Sequence, residues 1–150
     1  MKFKSLLSLC ALAFTSNAMA ENCMIDIEVM DALSFSKKSI EISKSKCDKV
    51  TINLKHVGKL PKTTMGHNWV FSKASDMDPI AMDGMKAGLA KNYLMDGDKR
   101  IIAATKIIGG GEMASVTFDT KMLMVGGDYK YFCSFIGHHA VMNGMFTVMK

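Results

Sequence analysis

Proline is scarce in this 150-residue chain, which holds only Pro61 and Pro79, and its 12 glycines follow no repeat. That excludes a collagen-like or proline-rich extended polymer. Charge of one sign is not in large excess either: 19 Lys and Arg against 14 Asp and Glu give a net +5. So mild an imbalance does not point to nucleic acid. Long hydrophobic runs are missing as well. The apolar stretch Leu6–Phe14 is well short of the roughly 20 residues that span a bilayer, and no later segment is longer, so no membrane anchor is expected. With 49% hydrophobic and 22% charged residues and no low-complexity tract, the composition is that of one packed globular domain rather than a disordered chain.

The N-terminus has the pattern of an export leader. Lys2 and Lys4 form a positive start, Leu6–Phe14 a short apolar run, and Ala18-Met19-Ala20 the small residues that signal peptidase requires. The reading is a signal peptide over residues 1–20, removed to leave a single domain, 21–150, in the periplasm. Without Lys2 and Lys4 the net charge drops from +5 to +3. Leu9 stands before Cys10 where a lipid-attachment signal wants a small residue, so lipidation is not expected.

Loss of the leader also removes Cys10 and leaves Cys23, Cys47 and Cys133, of which one must be unpaired. Cys23 and Cys47 could close a loop of about 25 residues, worth roughly 3 kcal/mol in the chain-entropy model. Cys133 would then be a free thiol in an oxidising compartment, where burial or a metal has to protect it.

Strand patterns dominate the rest. Ile25–Val29, Ile40–Ile42 and Val50–Leu54 alternate apolar and polar residues, the period of half-buried strands. Asn68–Ser72, Arg100–Ile107, Ser115–Asp119, Tyr129–Cys133 and Met145–Met149 read the same way. Turn signals at Gly58-Lys59-Leu60-Pro61, Gly109-Gly110-Gly111 and Gly126-Gly127-Asp128 separate them, as in a β-sandwich or barrel. The exception, about residues 75–93, is a helical flap: Met77, Met82, Met85 and Leu89 fall roughly on one helical face, although Pro79, Gly84 and Gly88 shorten any helix.

Chemistry concentrates near the C-terminus. Between two strand-like segments, Cys133, His138 and Met142 put a thiol, an imidazole and a thioether within ten residues. A thiolate, two imidazoles and a weak thioether are the donor set of a blue-copper electron-transfer site, because soft sulfur favours Cu(I) while imidazole holds Cu(II). The second imidazole is available upstream, as His67 in Met65-Gly66-His67-Asn68-Trp69.

With these residues in view the chain closely resembles the azurins, blue-copper proteins of the cupredoxin family, over essentially all of residues 21–150. The matching motifs are Met65 to Val70, Asp83-Gly84-Met85 with Gly88-Leu89, Ser115 to Asp119, and the loop Phe132 to Met142 with its C-x4-H-x3-M spacing. The resemblance implies an all-β, Greek-key β-sandwich or barrel of the cupredoxin type and a Cys23–Cys47 disulfide. It implies one type 1 copper per chain, with His67, Cys133 and His138 around it and Met142 and the Gly66 carbonyl as long axial contacts. Asn68 would brace the thiolate and tie the two ligand loops together, and the Phe135 N–H would point at the Cys133 sulfur.

For function it implies a monomeric, non-enzymatic carrier of single electrons in the periplasm. Its partners would be redox proteins such as c-type cytochromes, nitrite reductase or other oxidoreductases. They would dock on an apolar patch around His138 built from Leu33, Leu60, Met65, Met85, Phe135, Ile136, Ala140 and Val141. The alternative is a copper carrier or storage protein using the same ligands. A Cys/His thiol enzyme lacks a third group to orient the histidine and leaves Met142 idle, and a copper nitrite reductase needs more than the 4 histidines present.

Ile136 and Val57 stand where azurins commonly carry proline, and Ile136 restores an N–H, which predicts an extra hydrogen bond near the thiolate. His139 as ligand would give C-x5-H-x2-M, outside cupredoxin spacing, and reads as a solvated neighbour. His56, alone in a strand-like stretch, reads as structural. Of the 15 methionines, Met1 and Met19 fall in the leader, and the remaining 13 are scattered, which favours packing over copper storage.

Overall fold

A computed structural model describes residues 21–150; the expected leader and Cys10 lie outside the described residues. All eight expected strands are present, as β1 (Glu21–Met30), β3 (Ser39–Ser43), β4 (Cys47–His56), β5 (Val70–Lys73), β6 (Ile101–Ala104), β7 (Met113–Asp119), β8 (Tyr129–Phe132) and β9 (Asn143–Met149). The short β2 (Ala32–Phe35), not expected from the pattern, joins them. They form two sheets, ordered β2-β1-β4-β7 and β3-β9-β8-β5-β6. Chain-neighbouring strands repeatedly switch sheets, which gives the Greek-key sandwich. The pairs β1–β4 and β3–β9 are parallel and the rest antiparallel.

Alternation explains the layering. In β1 and β4, Ile27, Val29, Val50, Ile52 and Leu54 point inward while Asp26, Glu28 and Lys55 face solvent, so each strand buries one face only. The opposing sheet contributes Trp69, Phe71, Tyr131 and Phe146. Phe71 sits at the centre of this group, with ring centroids 4.5 Å from Phe146 and 5.5 Å from Trp69. Trp69 is therefore core, fully buried. A disulfide joins Cys23 to Cys47 where β1 and β4 begin to pair, and Cys133 is the free cysteine among the described residues.

The flap contains α2 (Met77–Ala87), with single 3-10 turns before and after it. Pro79 falls in its first turn, where no intrahelical N–H partner is lost, and Gly88 ends it at φ 74°. Its buried side differs from the one the methionine spacing marks. Met77, Ile80, Ala81 and Gly84 face the body, packing with Val70 and Phe132, whereas Met82 and Met85 are exposed. Gly84 is required there because a Cβ would collide with the Tyr93 carbonyl. A one-turn helix, α1 (Lys62–Met65), leads into the His67 loop.

Candidate metal centre

His67 and Cys133 come from separate loops that the sandwich brings together. His67 precedes β5 and is fixed by a two-way backbone pairing with Ile108, its N–H donating to the Ile108 carbonyl at 3.0 Å and its carbonyl accepting from Ile108 N–H at 2.9 Å. Cys133 follows β8 directly, and its N–H donates to the Met142 carbonyl at 3.0 Å, which closes the base of the loop. Inside the loop Gly137 turns at φ 77°, and His138 N–H donates to the Phe135 carbonyl at 2.9 Å. Met142 N–H returns to the His138 carbonyl at 2.7 Å. Backbone bonds therefore hold this loop in one shape.

The result is a buried triad. The Cys133 Sγ lies 3.8 Å from His67 Nδ1 and 3.6 Å from His138 Nδ1, and the Gly66 carbonyl is 4.0 Å from the sulfur. Metal–sulfur and metal–nitrogen bonds of about 2.3 and 2.0 Å, spread about 120° apart, separate sulfur and nitrogen by about 3.7 Å. The observed edges match that spacing, so an ion fits between these three donors. His67 Nε2 donates to the Met30 carbonyl at 2.9 Å, which leaves Nδ1 with its lone pair facing the sulfur. Met142 is buried, and Gly66 has no room for a side chain, since a Cβ would meet the Lys62 carbonyl and come within 2.6 Å of Ile107.

Protonation fits the same use. Burial pushes the Cys133 thiol up to about 12, only partly opposed by the backbone N–H groups of Asn68 and Phe135 facing the sulfur. Burial lowers His67 to about 4 and lowers His138 as well. At neutral pH the bare site is thus a thiol and two neutral imidazoles, and a cation is what makes the thiolate favourable.

Around the donors, Asn68 does tie the loops together. Its Oδ1 accepts from Ser134 N–H at 2.9 Å and its Nδ2 donates to Ser134 Oγ at 2.8 Å. Ser134 Oγ in turn donates to the Asn92 carbonyl at 2.8 Å. Sequence reasoning missed Ser134, Asn92 and the Met30 carbonyl; a backbone carbonyl leaves no residue-type signal. Asn92 does leave a trace, with Tyr93, as a consecutive pair of left-handed residues at φ 57° and 50°.

His138 is 6% exposed, with its ring 4.6 Å from that of Phe135. Leu33, Leu60, Met85, Ile136, Ala140 and Val141 are exposed at this end, with Met65 and Phe135 half-buried. The His139 ring is not part of the triad. His56 is fully buried beside His67, but Gly58 N–H donates to its Nδ1 at 3.1 Å and its Nε2 donates to the Met65 carbonyl at 3.0 Å, so both nitrogens are committed. The expected hydrogen bond from Ile136 N–H near the thiolate is not found among the described residues; Ile136 points outward, half exposed. At the other proline-replaced position, Val57 N–H donates to the Val29 carbonyl at 2.8 Å.

A Greek-key sandwich holding one buried thiol and two imidazoles in a closed loop pair defines a cupredoxin, a protein of a single mononuclear copper. Comparison with known proteins agrees. The profile of the copper binding proteins of the plastocyanin/azurin family matches residues 21–149, and the chain belongs to that family. It is 51% identical to an azurin of Bordetella pertussis over 144 residues, 95% of each chain. It is 55% identical to an azurin of Pseudomonas fluorescens biotype C over 126 residues, 84% of this chain and 98% of that one. Among solved structures, an azurin from the methylotroph Methylomonas sp. strain J superposes with a TM-score of 0.82 at 41% identity, covering 87% of this chain and all of that one.

Proposed function

We propose that residues 21–150 are the mature form of an exported, monomeric electron carrier of the periplasm. It would accept and release single electrons between redox proteins such as c-type cytochromes and nitrite reductase or similar oxidoreductases. The supporting observation is the placement of a buried Cys133 sulfur 3.6 and 3.8 Å from two imidazole nitrogens, one of whose rings reaches solvent inside an apolar surface. His67, Cys133 and His138 would hold the ion, with Met142 and the Gly66 carbonyl as further candidate contacts. Bound copper supplies the one-electron Cu(I)/Cu(II) couple.

The chain supplies the rest. The backbone-bonded loop keeps the donors at fixed separations, so little rearranges when charge changes. The N–H groups of Asn68 and Phe135 draw electron density from the sulfur and stabilise the electron-rich state. Burial excludes water and stray oxidants from Cys133. His138 is the exit, because its edge is the donor group nearest solvent, and the apolar rim of Leu60, Ile136 and Val141 supports brief contacts without fixed hydrogen bonds.

Adding Cu(II) to the mature protein and recording its visible spectrum tests the reading. An intense blue band that Cys133→Ser abolishes and that a chelator removes only slowly supports the carrier. Rapid loss of colour to the chelator would favour a copper shuttle, and a colourless, quickly oxidised thiol would sink both.

A further inference from the structure

A groove between α1 and the flap lies at the same end as the metal site and contains none of its donor residues. Its volume is about 390 Å³, and Lys62, Leu89, Ala90, Asn92, Lys106 and Ile107 line it. Three of these are apolar, two are basic, and none is acidic. Of the other cations nearby, Lys91 pairs with Asp96 and Arg100 with both Asp83 and Asp98, while Lys59 and Lys86, outside the groove lining, form no ion pair among the described residues. Lys62 and Lys106 are exposed and, among the described residues, form no ion pair. Two like charges on one concave, partly apolar wall raise the local potential and attract an anion without a competing carboxylate of the chain itself.

The groove also backs onto the ligand loops. The Lys62 carbonyl and the Ile107 side chain are the groups that flank Gly66. Asn92 binds Ile107 N–H through Oδ1 at 2.8 Å and holds Ser134, the residue after Cys133, through its carbonyl. The edge toward the apolar patch is short as well, since Leu60 and Met65 bracket α1.

We propose that this groove receives carboxylate side chains of an acidic redox protein, so that the apolar patch supplies the area of contact and Lys62 with Lys106 supplies its orientation. The proposal rests on the electron-carrier reading above and names the kind of partner surface that reading requires: acidic residues set to one side of an apolar electron-entry point. Such complementarity acts mainly on encounter rate and register, and it weakens with salt.

The test uses the 15N-labelled Cu(I) protein titrated at low ionic strength with hexaglutamate, and in parallel with inorganic phosphate at matched ionic strength. Expected are saturable amide shifts at Lys62, Leu89, Ala90, Lys106 and Ile107 with hexaglutamate, absent with phosphate and absent from the Lys62→Gln/Lys106→Gln double variant. The same double variant should reduce hexacyanoferrate(III), a trianion, about 3- to 10-fold more slowly at low salt, with its blue band unchanged. Its rate with the cationic tris(phenanthroline)cobalt(III) should not fall. Lys46→Gln/Lys121→Gln, exposed lysines at the Cys47 end of β4, away from the His56 end that meets His67, should leave the hexacyanoferrate rate within twofold.

Shifts spread over all exposed lysines, or equal shifts with phosphate, or a double variant that behaves as the remote control, would overturn the proposal. If neither redox reagent reacts while the hexaglutamate shifts persist, the electron-carrier reading fails and the redox partner with it.

Discussion

His56 and His67 lie one on the other, ring centroids 5.2 Å apart and planes 24° from parallel, and both are fully buried. Residue type, burial and neighbourhood are nearly the same, yet only one of them can hold a metal. The difference is the second nitrogen. At His56 the chain satisfies both, through Gly58 N–H and the Met65 carbonyl; at His67 it satisfies Nε2 through Met30 and leaves Nδ1 facing the Cys133 sulfur. A buried histidine is a ligand when the fold leaves one nitrogen unpaired on purpose, and structural when it does not.

The largest effect that can break this contrast is on colour. His67→Ala should lose the blue band when Cu(II) is added, while His56→Ala should keep it. The second variant strands Gly58 N–H and the Met65 carbonyl and leaves a cavity, at a cost of about 2–4 kcal/mol by urea unfolding. Colour lost in His56→Ala and kept in His67→Ala would reverse the assignment.

A smaller effect should appear on acidification of the metal-free protein. Burial lowers His67 from the ordinary 6.5 to about 4, so between those values the unfolded chain takes up a proton that the folded chain refuses. This contribution to stability is present above pH 6.5, falls as the pH drops toward 4 and is flat below. Urea midpoints across that window should therefore fall less steeply for His67→Ala than for the parent chain.

The smallest effect compares the two positions where proline was replaced. Val57→Pro removes the donor to the Val29 carbonyl at the end of β1, beside His56, and should cost about 1 kcal/mol. Ile136→Pro removes no hydrogen bond and should shift stability by under about 0.5 kcal/mol and leave the reduction potential nearly unchanged. A large potential shift from Ile136→Pro would show that its N–H reaches the thiolate after all.

The sheets were legible where polar residues mark a strand's outer face: Asp26 and Glu28 between Ile25, Ile27 and Val29 announce β1 unaided. β2 was not, because Ala32–Phe35 is too short for alternation to register and pairs with β1 at only two positions. The flap was legible as helix but not in its buried side, since methionine is apolar enough to suggest burial and tolerant enough to sit in solvent. At the site, the side-chain donors were readable from C-x4-H-x3-M and the Gly66-His67 motif. What orients them was not, because Met30 and Asn92 act through main-chain carbonyls and Ser134 through a hydroxyl that any loop serine carries.

Gly84 fits against the Tyr93 carbonyl only because it has no side chain, and the Asn92 carbonyl beside it anchors Ser134. Residues 74–94 are therefore a cassette with matched ends. A chimaera between related chains would have to transplant helix and return segment together, and a graft that took the helix alone with any larger residue at 84 would lever Tyr93 off Phe135, whose ring it meets edge-on at 5.3 Å.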